Sequence, residues 1–494
     1  MSALPPDSSA QNIRFVLDGE IKSVRDLPPT TTVLEYLRKN AHRTGTKEGC
    51  AEGDCGACTV VLGELNPEGQ HVTYRAINSC IRFLPTIDGK ELVTVESLQG
   101  PDGALHPVQR AMVEEHGSQC GFCTPGFVMS LFALYLEGEA PPTRSEVVDS
   151  LAGNLCRCTG YRPIIDAGCR MRQYPDPERW SRTEAHSEAH SHPLRSLQRS
   201  APQGQLQFPG YCAPRSLDEL DAALSAAPQS LVLAGGTDVG LWVTKHLREL
   251  PPIVYIGDVA ELHEIRRSAQ GIWIGAAVPL SRAWPVLVAA FPPLAEQALR
   301  FASPPVCNSG TLCGNIANGS PIGDSLPNLI ALGAQVGLRR AGKQRRLPLE
   351  RFYLGYQKKD LQPGEFVTGV YLPAAEANTR FASYKLAKRF DQDISAVCAA
   401  FAVRVENGTV VHARLALGGM AAIPARAPRA EAALAGQPWA SAAVEAAIQA
   451  LAEDFKPLTD LRATSEYRMR AAGNLLRRFY LATSADPSGQ GAGQ

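Results

Sequence analysis

The chain has 494 residues, 45% of them hydrophobic and 20% charged, with 49 basic and 49 acidic side chains and a formal net charge of zero. That length sets an expectation of roughly three domains at about 150 residues each, and the balanced charge argues against a counterion-releasing nucleic-acid surface or a polybasic membrane patch. The longest apolar stretch, Phe127 to Leu136, is interrupted by Ser130 and is too short to span a bilayer. The opening MSALPPDSSAQ lacks the basic and then apolar order of a secretory signal, so a cytoplasmic protein is expected.

The first elements read as a small α/β unit. Asn12 to Leu17 is strand-like, Asp18-Gly19 is a hairpin turn signal and Ile21 to Val24 is the returning strand. Thr30 to Thr32 can cap a helix that carries Val33, Leu34, Leu37 and Ala41 on one face. A Gly-rich cysteine loop follows, then a strand from Thr59 to Leu65. From His106 to about Arg172 the pattern is helical: Val108, Met112 and Val113 recur at helical spacing, as do Phe127, Leu131 and Leu134, and then Val147, Val148 and Leu151.

Between about Pro175 and Pro209 the periodicity disappears into Ser, His, Arg, Gln and Pro, a linker composition in which His186, His190 and His192 read as part of a solvated tether. Alternation resumes from Tyr211, with a helix over Ser216 to Ala226 and strands over Leu231 to Ala234, Ile253 to Ile256 and Ile272 to Ala276. From about Arg380, strands such as Ala399 to Val405 alternate with Ala-rich helices, and the final SADPSGQGAGQ has a disordered composition. No internal repeat is evident.

Thirteen cysteines are unusual as disulfides in a reducing compartment. Eight fall in two groups between Cys50 and Cys158, whereas Cys169, Cys212, Cys307, Cys313 and Cys398 are scattered; clustering of this kind points to metal. Cys50, Cys55 and Cys58 have C-x4-C-x2-C spacing, and Cys80 follows after 21 intervening residues, which is the plant-type [2Fe-2S] pattern. Gly49, Gly53 and Gly56 suit a loop that wraps a cluster, through positive φ and close approach of backbone N–H groups. Zinc held by four thiolates is the alternative, but zinc loops usually bring paired C-x2-C knuckles. The second group is Cys120 and Cys123 and, after 32 intervening residues, Cys156 and Cys158; both pairs are expected at helix ends. Its spacing alone leaves zinc or a redox disulfide open.

The surrounding residues, QCGFCTPG and NLCRCTGYRPI, resemble the iron–sulfur region of molybdenum hydroxylases of the xanthine dehydrogenase type. That resemblance implies a β-grasp 2Fe-2S ferredoxin domain followed by a four-helix 2Fe-2S domain. Carried over position by position, Cys50, Cys55, Cys58 and Cys80 would ligate the first cluster, and Cys120, Cys123, Cys156 and Cys158 the second.

There is no G-x-G-x-x-G in the chain, so a Rossmann dinucleotide site has no support. Two other Gly-rich segments suit a pyrophosphate, through the anion nests that successive N–H groups form: Val232-Leu233-Ala234-Gly235-Gly236-Thr237-Asp238-Val239, and Ser309 to Ile316 leading through Asp324 to a helix over Leu326 to Leu332. Singly each is only a Gly-rich turn. Together, and in this order, they resemble the FAD domain of the same enzymes. The likeness implies that Val232 to Val239 and Thr311, Leu312, Cys313, Gly314 and Asn315 hold the FAD diphosphate and ribityl region, with Phe301, Asp324, Val367 and Lys385 as further contacts. Cys313 departs from a pattern that usually has Gly there, and its side chain would crowd a close backbone approach. Cys307 stands where Arg is often found, and is read as inert packing.

The segment Tyr384 to Ser395 is similar to the small subunits of bacterial members of that type, and the likeness as a whole covers residues 12 to 172 and 206 to 482. The implied fold class is α+β multidomain: a ferredoxin-like domain over 1–92, a helical 2Fe-2S domain over 93–175, a linker over 176–205, an α/β FAD-binding domain of the vanillyl-alcohol-oxidase/PCMH-like kind over 206–379, a C-terminal α+β domain of the CO dehydrogenase flavoprotein type over 380–482, and a disordered tail over 483–494. The implied function is electron transfer during hypoxanthine and xanthine oxidation. Electrons pass from a molybdenum cofactor on a separate large subunit through the helical-domain cluster, then the ferredoxin-like one, to FAD and on to NAD, in an α2β2 heterotetramer with no nucleic-acid or membrane partner. An aldehyde, nicotinate or other N-heterocycle as the substrate, oxygen as the acceptor, and a zinc-stapled scaffold without redox chemistry stay open on the sequence alone.

Overall fold

The computed structural model describes residues 12–66, 69–100, 102–198 and 205–484. The chain divides into two compact units, Met1–Val259 with Ala302–Gly310, and Ala260–Phe301 with Thr311–Gln494.

The first unit begins with a mixed five-stranded sheet. Its strands are β1 (Ile13–Leu17), β2 (Glu20–Val24), β3 (Thr59–Leu65), β4 (Val72–Asn78) and β5 (Glu91–Val93), in the spatial order β2-β1-β5-β3-β4. β1 and β5 run parallel and the other pairs antiparallel. Asp18 and Gly19 both take positive φ, 57° and 79°, which is the backbone that a tight two-residue hairpin needs. Thr32 caps helix α1 (Val33–Glu35) by accepting the Glu35 N–H, and a π-helical turn, Tyr36–Asn40, prolongs it.

Both faces of this sheet are buried, because successive residues of its inner strands are apolar. Phe15, Val60 and Leu62 join a core with Val33 and Leu37, whereas Val16 and Val61 on the opposite face join a core with helices α2 (Pro107–Glu114), α3 (Thr124–Glu137), α4 (Arg144–Ser150) and α5 (Arg162–Arg170). Residues on either side of position 92 therefore share one core. Val108, Met112, Phe127, Leu131 and Val147 are buried as their spacing predicts, but Val113 and Val148 are exposed: the apolar stripe is one residue narrower than expected on each helix.

The linker expected over 176–205 is not a solvated tether where the structure describes it. Ser181 caps α6 (Arg182–Ala185), and α7 (Glu188–Leu197) follows. Trp180, Ala185, Leu194 and Leu197 are buried in the same core as the helical bundle. The Trp180 indole N–H donates to Ser97 O at 2.9 Å, and His186 Nδ1 donates to Val72 O at 2.7 Å. His190 donates from both ring nitrogens to carboxylates, at 3.1 Å to Glu91 Oε2 and 2.8 Å to Glu184 Oε1. The physical reason for the difference is that a few well-spaced apolar anchors hold a strap whose remaining residues are polar.

The first unit closes with β6 (Leu206–Phe208), β7 (Tyr211–Ala213), α8 (Leu217–Ala226), β8 (Leu231–Leu233), α9 (Val239–Thr244) and β9 (Ile253–Tyr255). The strands form a second sheet in the order β6-β7-β9-β8, with β9 parallel to both β7 and β8. Leu206, Tyr211, Leu233, Ile253 and Tyr255 share the core that contains Phe15 and Val60.

The second unit holds two antiparallel sheets. One is five-stranded, in the order Ile265–Ser268, Gly271–Gly275, Phe366–Pro373, Gln335–Arg340, Lys343–Pro348. The other joins Thr379–Leu386, Val397–Glu406, Thr409–Gly418 and Ala425–Arg426, and the helices Pro428–Leu434, Ser441–Asp454 and Ser465–Ser484 cover one of its faces. The expected tail lies outside the described residues beyond Ser484. Among the described residues no helix is long and apolar enough to cross a membrane.

Candidate cofactor sites

The first thiol set is built on the loop between α1 and β3 and on the turn after β4. Cys58 and Cys80 are buried with their sulfurs 3.2 Å apart, and the Asn78 amide points at Cys58 Sγ from 3.9 Å. Backbone amides serve the other two sulfurs: Cys50 N–H donates to Cys55 Sγ at 3.3 Å, and Glu52 N–H to Cys50 Sγ at 3.4 Å. Mutual hydrogen bonding among these thiols lowers the pKa of Cys50 and raises those of Cys55 and Cys80.

The glycines divide the work of the loop. Gly53 and Gly56 take positive φ, whereas a side chain at Gly49 would meet Cys55 Sγ at 2.8 Å. The loop therefore leaves room for sulfur where a Cβ would fill it, and this cradle with four thiols and inward amides fits a sulfide-bridged cluster. Among the described residues no three His, Cys, Asp or Glu side chains converge on one point as ligands of a single ion do. Cys80 approaches both Cys58 and Cys50, and Cys50 also approaches Cys55, while a two-iron cluster asks four cysteines for two thiolates per iron.

In the second set Cys120 and Cys158 are exposed, with sulfurs 3.6 Å apart. Cys123 is the N-cap residue of α3, as a helix-end position requires. Cys156 and Cys158 lie instead within the loop between α4 and α5, which corrects the expectation of a helix end for that pair. Cys156 N–H donates to the Tyr161 hydroxyl at 3.0 Å, and Thr159 Oγ1 lies 3.2 Å from Cys156 Sγ. Burial and the neighbouring Cys156 push the Cys123 thiol up to about 12.

The two sets touch through backbone. Leu155 N–H donates to Cys55 O at 3.0 Å, and Asn154 Nδ2 donates to Gly56 O at 3.1 Å. A Cβ on Gly126 of α3 would lie 2.1 Å from that same Gly56 oxygen, so only glycine allows the approach.

Of the flavin segments, Val232 to Val239 belong to the first unit. Its paired glycines have different duties: a Cβ on Gly235 would lie 1.9 Å from Ser309 O, whereas Gly236 takes φ of 73°. Such a strand, glycine turn and helix cradle fits a pyrophosphate by close backbone approach.

In the second unit Thr311 caps the helix Leu312–Asn318 by accepting the Gly314 N–H at 2.8 Å. The Asn315 side chain accepts the Ser325 hydroxyl at 2.6 Å. Asp324 binds Lys385 Nζ and the Ser395 hydroxyl, both at 2.6 Å. Val367 is buried in the strand Phe366–Pro373, and the Phe301 ring lies 5.3 Å from that of Trp284. The Cys313 thiol turns inward, 99% buried and 3.8 Å from Ile274 O. Burial raises the Cys307 thiol to about 12.

Comparison with known families matches residues 15–83 to the 2Fe-2S iron–sulfur cluster binding domain, 94–169 to the [2Fe-2S] binding domain, 204–375 to the FAD binding domain in molybdopterin dehydrogenase, and 382–483 to the CO dehydrogenase flavoprotein C-terminal domain. The chain is 33% identical to a solved carbon monoxide dehydrogenase chain from Hydrogenophaga pseudoflava, with a TM-score of 0.52 over 56% of this chain and 96% of that one. The chain belongs to the molybdenum hydroxylase family.

Xanthine dehydrogenases of Emericella nidulans and Drosophila subobscura are 31% and 32% identical over 97% of this chain. The chain spans 40% and 39% of the length of those relatives. A solved quinoline 2-oxidoreductase from Pseudomonas putida 86 is 28% identical, with a TM-score of 0.50 over 56% of this chain. As a molybdenum hydroxylase chain with two 2Fe-2S-binding domains and an FAD-binding domain, it has the α+β multidomain class that its motifs imply.

Some residues at these sites had no sequence signal. Arg300 Nη1 donates to Lys385 O at 3.0 Å while Lys385 Nζ returns a bond to Arg300 O at 3.2 Å, a reciprocal tie across 85 residues. Ser395, Ser325 and Asn154 are likewise ordinary polar residues whose partners only the fold supplies.

Proposed function

We propose that the chain carries electrons within a molybdenum hydroxylase that oxidises hypoxanthine and xanthine, from a molybdenum centre on a partner chain to NAD. Bound 2Fe-2S clusters would supply one-electron relays, and bound FAD the two-electron exchange with a nicotinamide. On this reading Cys120, Cys123, Cys156 and Cys158 hold the entry cluster, and Cys50, Cys55, Cys58 and Cys80 the next. Val232 to Val239, Phe301, Thr311 to Asn315, Asp324, Val367 and Lys385 hold the flavin.

The observation that carries the reading is the direct backbone bond between Leu155 N–H and Cys55 O, because it puts the two thiol sets side by side in one unit. The entry end is read from exposure: Cys120 and Cys158 are open, and Phe122 and Leu155 expose apolar surface next to them, the composition of a protein-docking rim. The xanthine reading rests on the xanthine dehydrogenases that match over 97% of this chain. We place the partner in an α2β2 assembly.

The purified chain should contain about four iron and four labile sulfide and oxidise NADH with a dye acceptor, yet turn over no xanthine. Adding a molybdenum-loaded partner should bring xanthine-dependent NAD reduction. Stoichiometric zinc in place of iron would overturn the cluster assignment, and xanthine turnover by the chain alone would overturn the division between subunits.

A further inference from the structure

Helix α9, which continues directly from the Gly235-Gly236 loop, lies against both ends of the first thiol set. On one side Gly240 meets the residue after Cys80: a Cβ there would fall 2.5 Å from Ile81 O and 2.8 Å from Ile81 Cβ. On the other side the end of the helix holds the loop that carries Cys50. Thr244 Oγ1 donates to Ala51 O at 2.7 Å, and Lys245 Nζ donates to Cys50 O at 2.9 Å. The same ammonium lies 3.5 Å from Glu52 Oε2. All these residues belong to the first unit.

We propose that Lys245 and Glu52 tune the reduction potential of the group held by Cys50, Cys55, Cys58 and Cys80, Lys245 raising it and Glu52 lowering it, and that α9 is the positioning element that fixes this group against the flavin loop. The argument is electrostatic. Reduction adds one negative charge to the thiolate-bound group, and the protein controls its potential through nearby charge and hydrogen bonding. Lys245 sits one carbonyl away from a ligand cysteine, so its charge favours the reduced form. Glu52 carries the opposite charge, and its backbone N–H donates to Cys50 Sγ at 3.4 Å, so its carboxylate works against reduction from the same loop. Lys245 and Glu52 keep side-chain exposures of 40% and 35%, so solvent screens both and their effects are modest. Among the described residues the second thiol set takes no hydrogen bond from α9, and its potential provides an internal reference.

This rests on the cluster reading above, and the experiment separates the two. The purified full chain is titrated with redox mediators while the two cluster EPR signals are followed, in the wild type and in Lys245→Met, Lys245→Arg and Glu52→Gln. Lys245→Met should lower the reduced-to-oxidised ratio of one cluster roughly threefold at fixed potential, and Glu52→Gln should raise it. Lys245→Arg should stay near the wild type, and the other cluster should hold its midpoint in all three. The shift in Lys245→Met should shrink at high salt. Gly240→Ala should slow electron passage from the shifted cluster to the flavin, followed in rapid-mixing spectra with iron and flavin contents retained. If neither charge change moves either midpoint, the tuning role is overturned while the cluster assignment stands. If no EPR signal appears in the wild type, the cluster reading itself falls.

Discussion

Leu155 donates its backbone N–H to the carbonyl of Cys55 at 3.0 Å, which joins the residue before Cys156 to a member of the other thiol set. The approach depends on glycine. A Cβ on Gly126 would lie 2.1 Å from Gly56 O, and one on Gly56 would lie 2.3 Å from Gly153 O. Neither contact offers a flexible side chain that could swing away, because the opposing atoms are backbone. Gly126→Ala should therefore push the N-terminal turn of α3 off the first loop and cost about 1–3 kcal/mol, the usual range for overpacking. Denaturant unfolding should show the loss, and the magnetic interaction between the two clusters should weaken in EPR. An unchanged interaction in a destabilised variant would mean that this contact supports the fold without setting the distance between the sets.

A second prediction concerns the strap over residues 180–198. Trp180 is 1% exposed, lies edge-on to Tyr74 and Phe132 with centroids 5.7 and 5.6 Å away, and has its indole N–H satisfied by Ser97 O. Limited proteolysis of the native chain should spare this segment. Trp180→Ala should destabilise the first unit by about 3–5 kcal/mol and open the strap to cleavage. Rapid cutting between Trp180 and Leu197 in the wild type would contradict the packing.

The thiol sets and the paired glycines were legible in the sequence because their chemistry is local: sulfur spacing, positive φ and close approach all leave marks on neighbouring residues. The strap was not, because Trp180, Ala185, Leu194 and Leu197 are scattered among Ser, His and Arg and follow no single period. The shared core of the two iron–sulfur regions was hidden for a related reason. A strand such as β3, buried on both faces, does not declare which neighbours cover each face. Arg300 and Ser395 were invisible because their partners lie 85 and 71 residues away, and only folding brings them together.

The third prediction is a pH dependence. Both ring nitrogens of His190 face carboxylates, so the imidazole must carry two protons to satisfy Glu91 and Glu184 together. Burial opposes that charge, but the bonds to Glu184 and Glu91 outweigh it and raise the pKa to about 9. The other groups around the ring act on the carboxylates: the Tyr74 hydroxyl donates to Glu91 Oε2 at 2.7 Å, and Arg179 helps to hold Glu184 below its usual value. Because the folded pKa lies above the unfolded value near 6.5, the stabilisation is fully present below about pH 6.5 and is lost as pH rises through about 9. Its size is on the order of 3 kcal/mol. His190→Gln should therefore be clearly less stable than the wild type at pH 6, with the gap closing towards pH 10. A gap independent of pH would show that the ring acts by packing alone.

The last prediction concerns the ion pair in the second unit. Lys385 and Asp324 have side-chain exposures of 3% and 8%, and their charges meet at 2.6 Å. Asp324 also takes the Ser395 hydroxyl, and Lys385 donates to Arg300 O, so each charge is hydrogen-bonded on more than one side. Removing one member strands the other in a place that water does not reach. Lys385→Met should cost about 3–5 kcal/mol, whereas the double change Lys385→Met with Asp324→Asn should recover part of that, since no uncompensated charge is left. Flavin content separates structure from binding. If the pair only braces the fold, the double variant should regain flavin along with stability. If Lys385 and Asp324 contact the flavin, the double variant should stay flavin-poor even where its unfolding midpoint approaches the wild type. Unfolding followed by circular dichroism, with flavin counted by absorbance in the same samples, decides between the two.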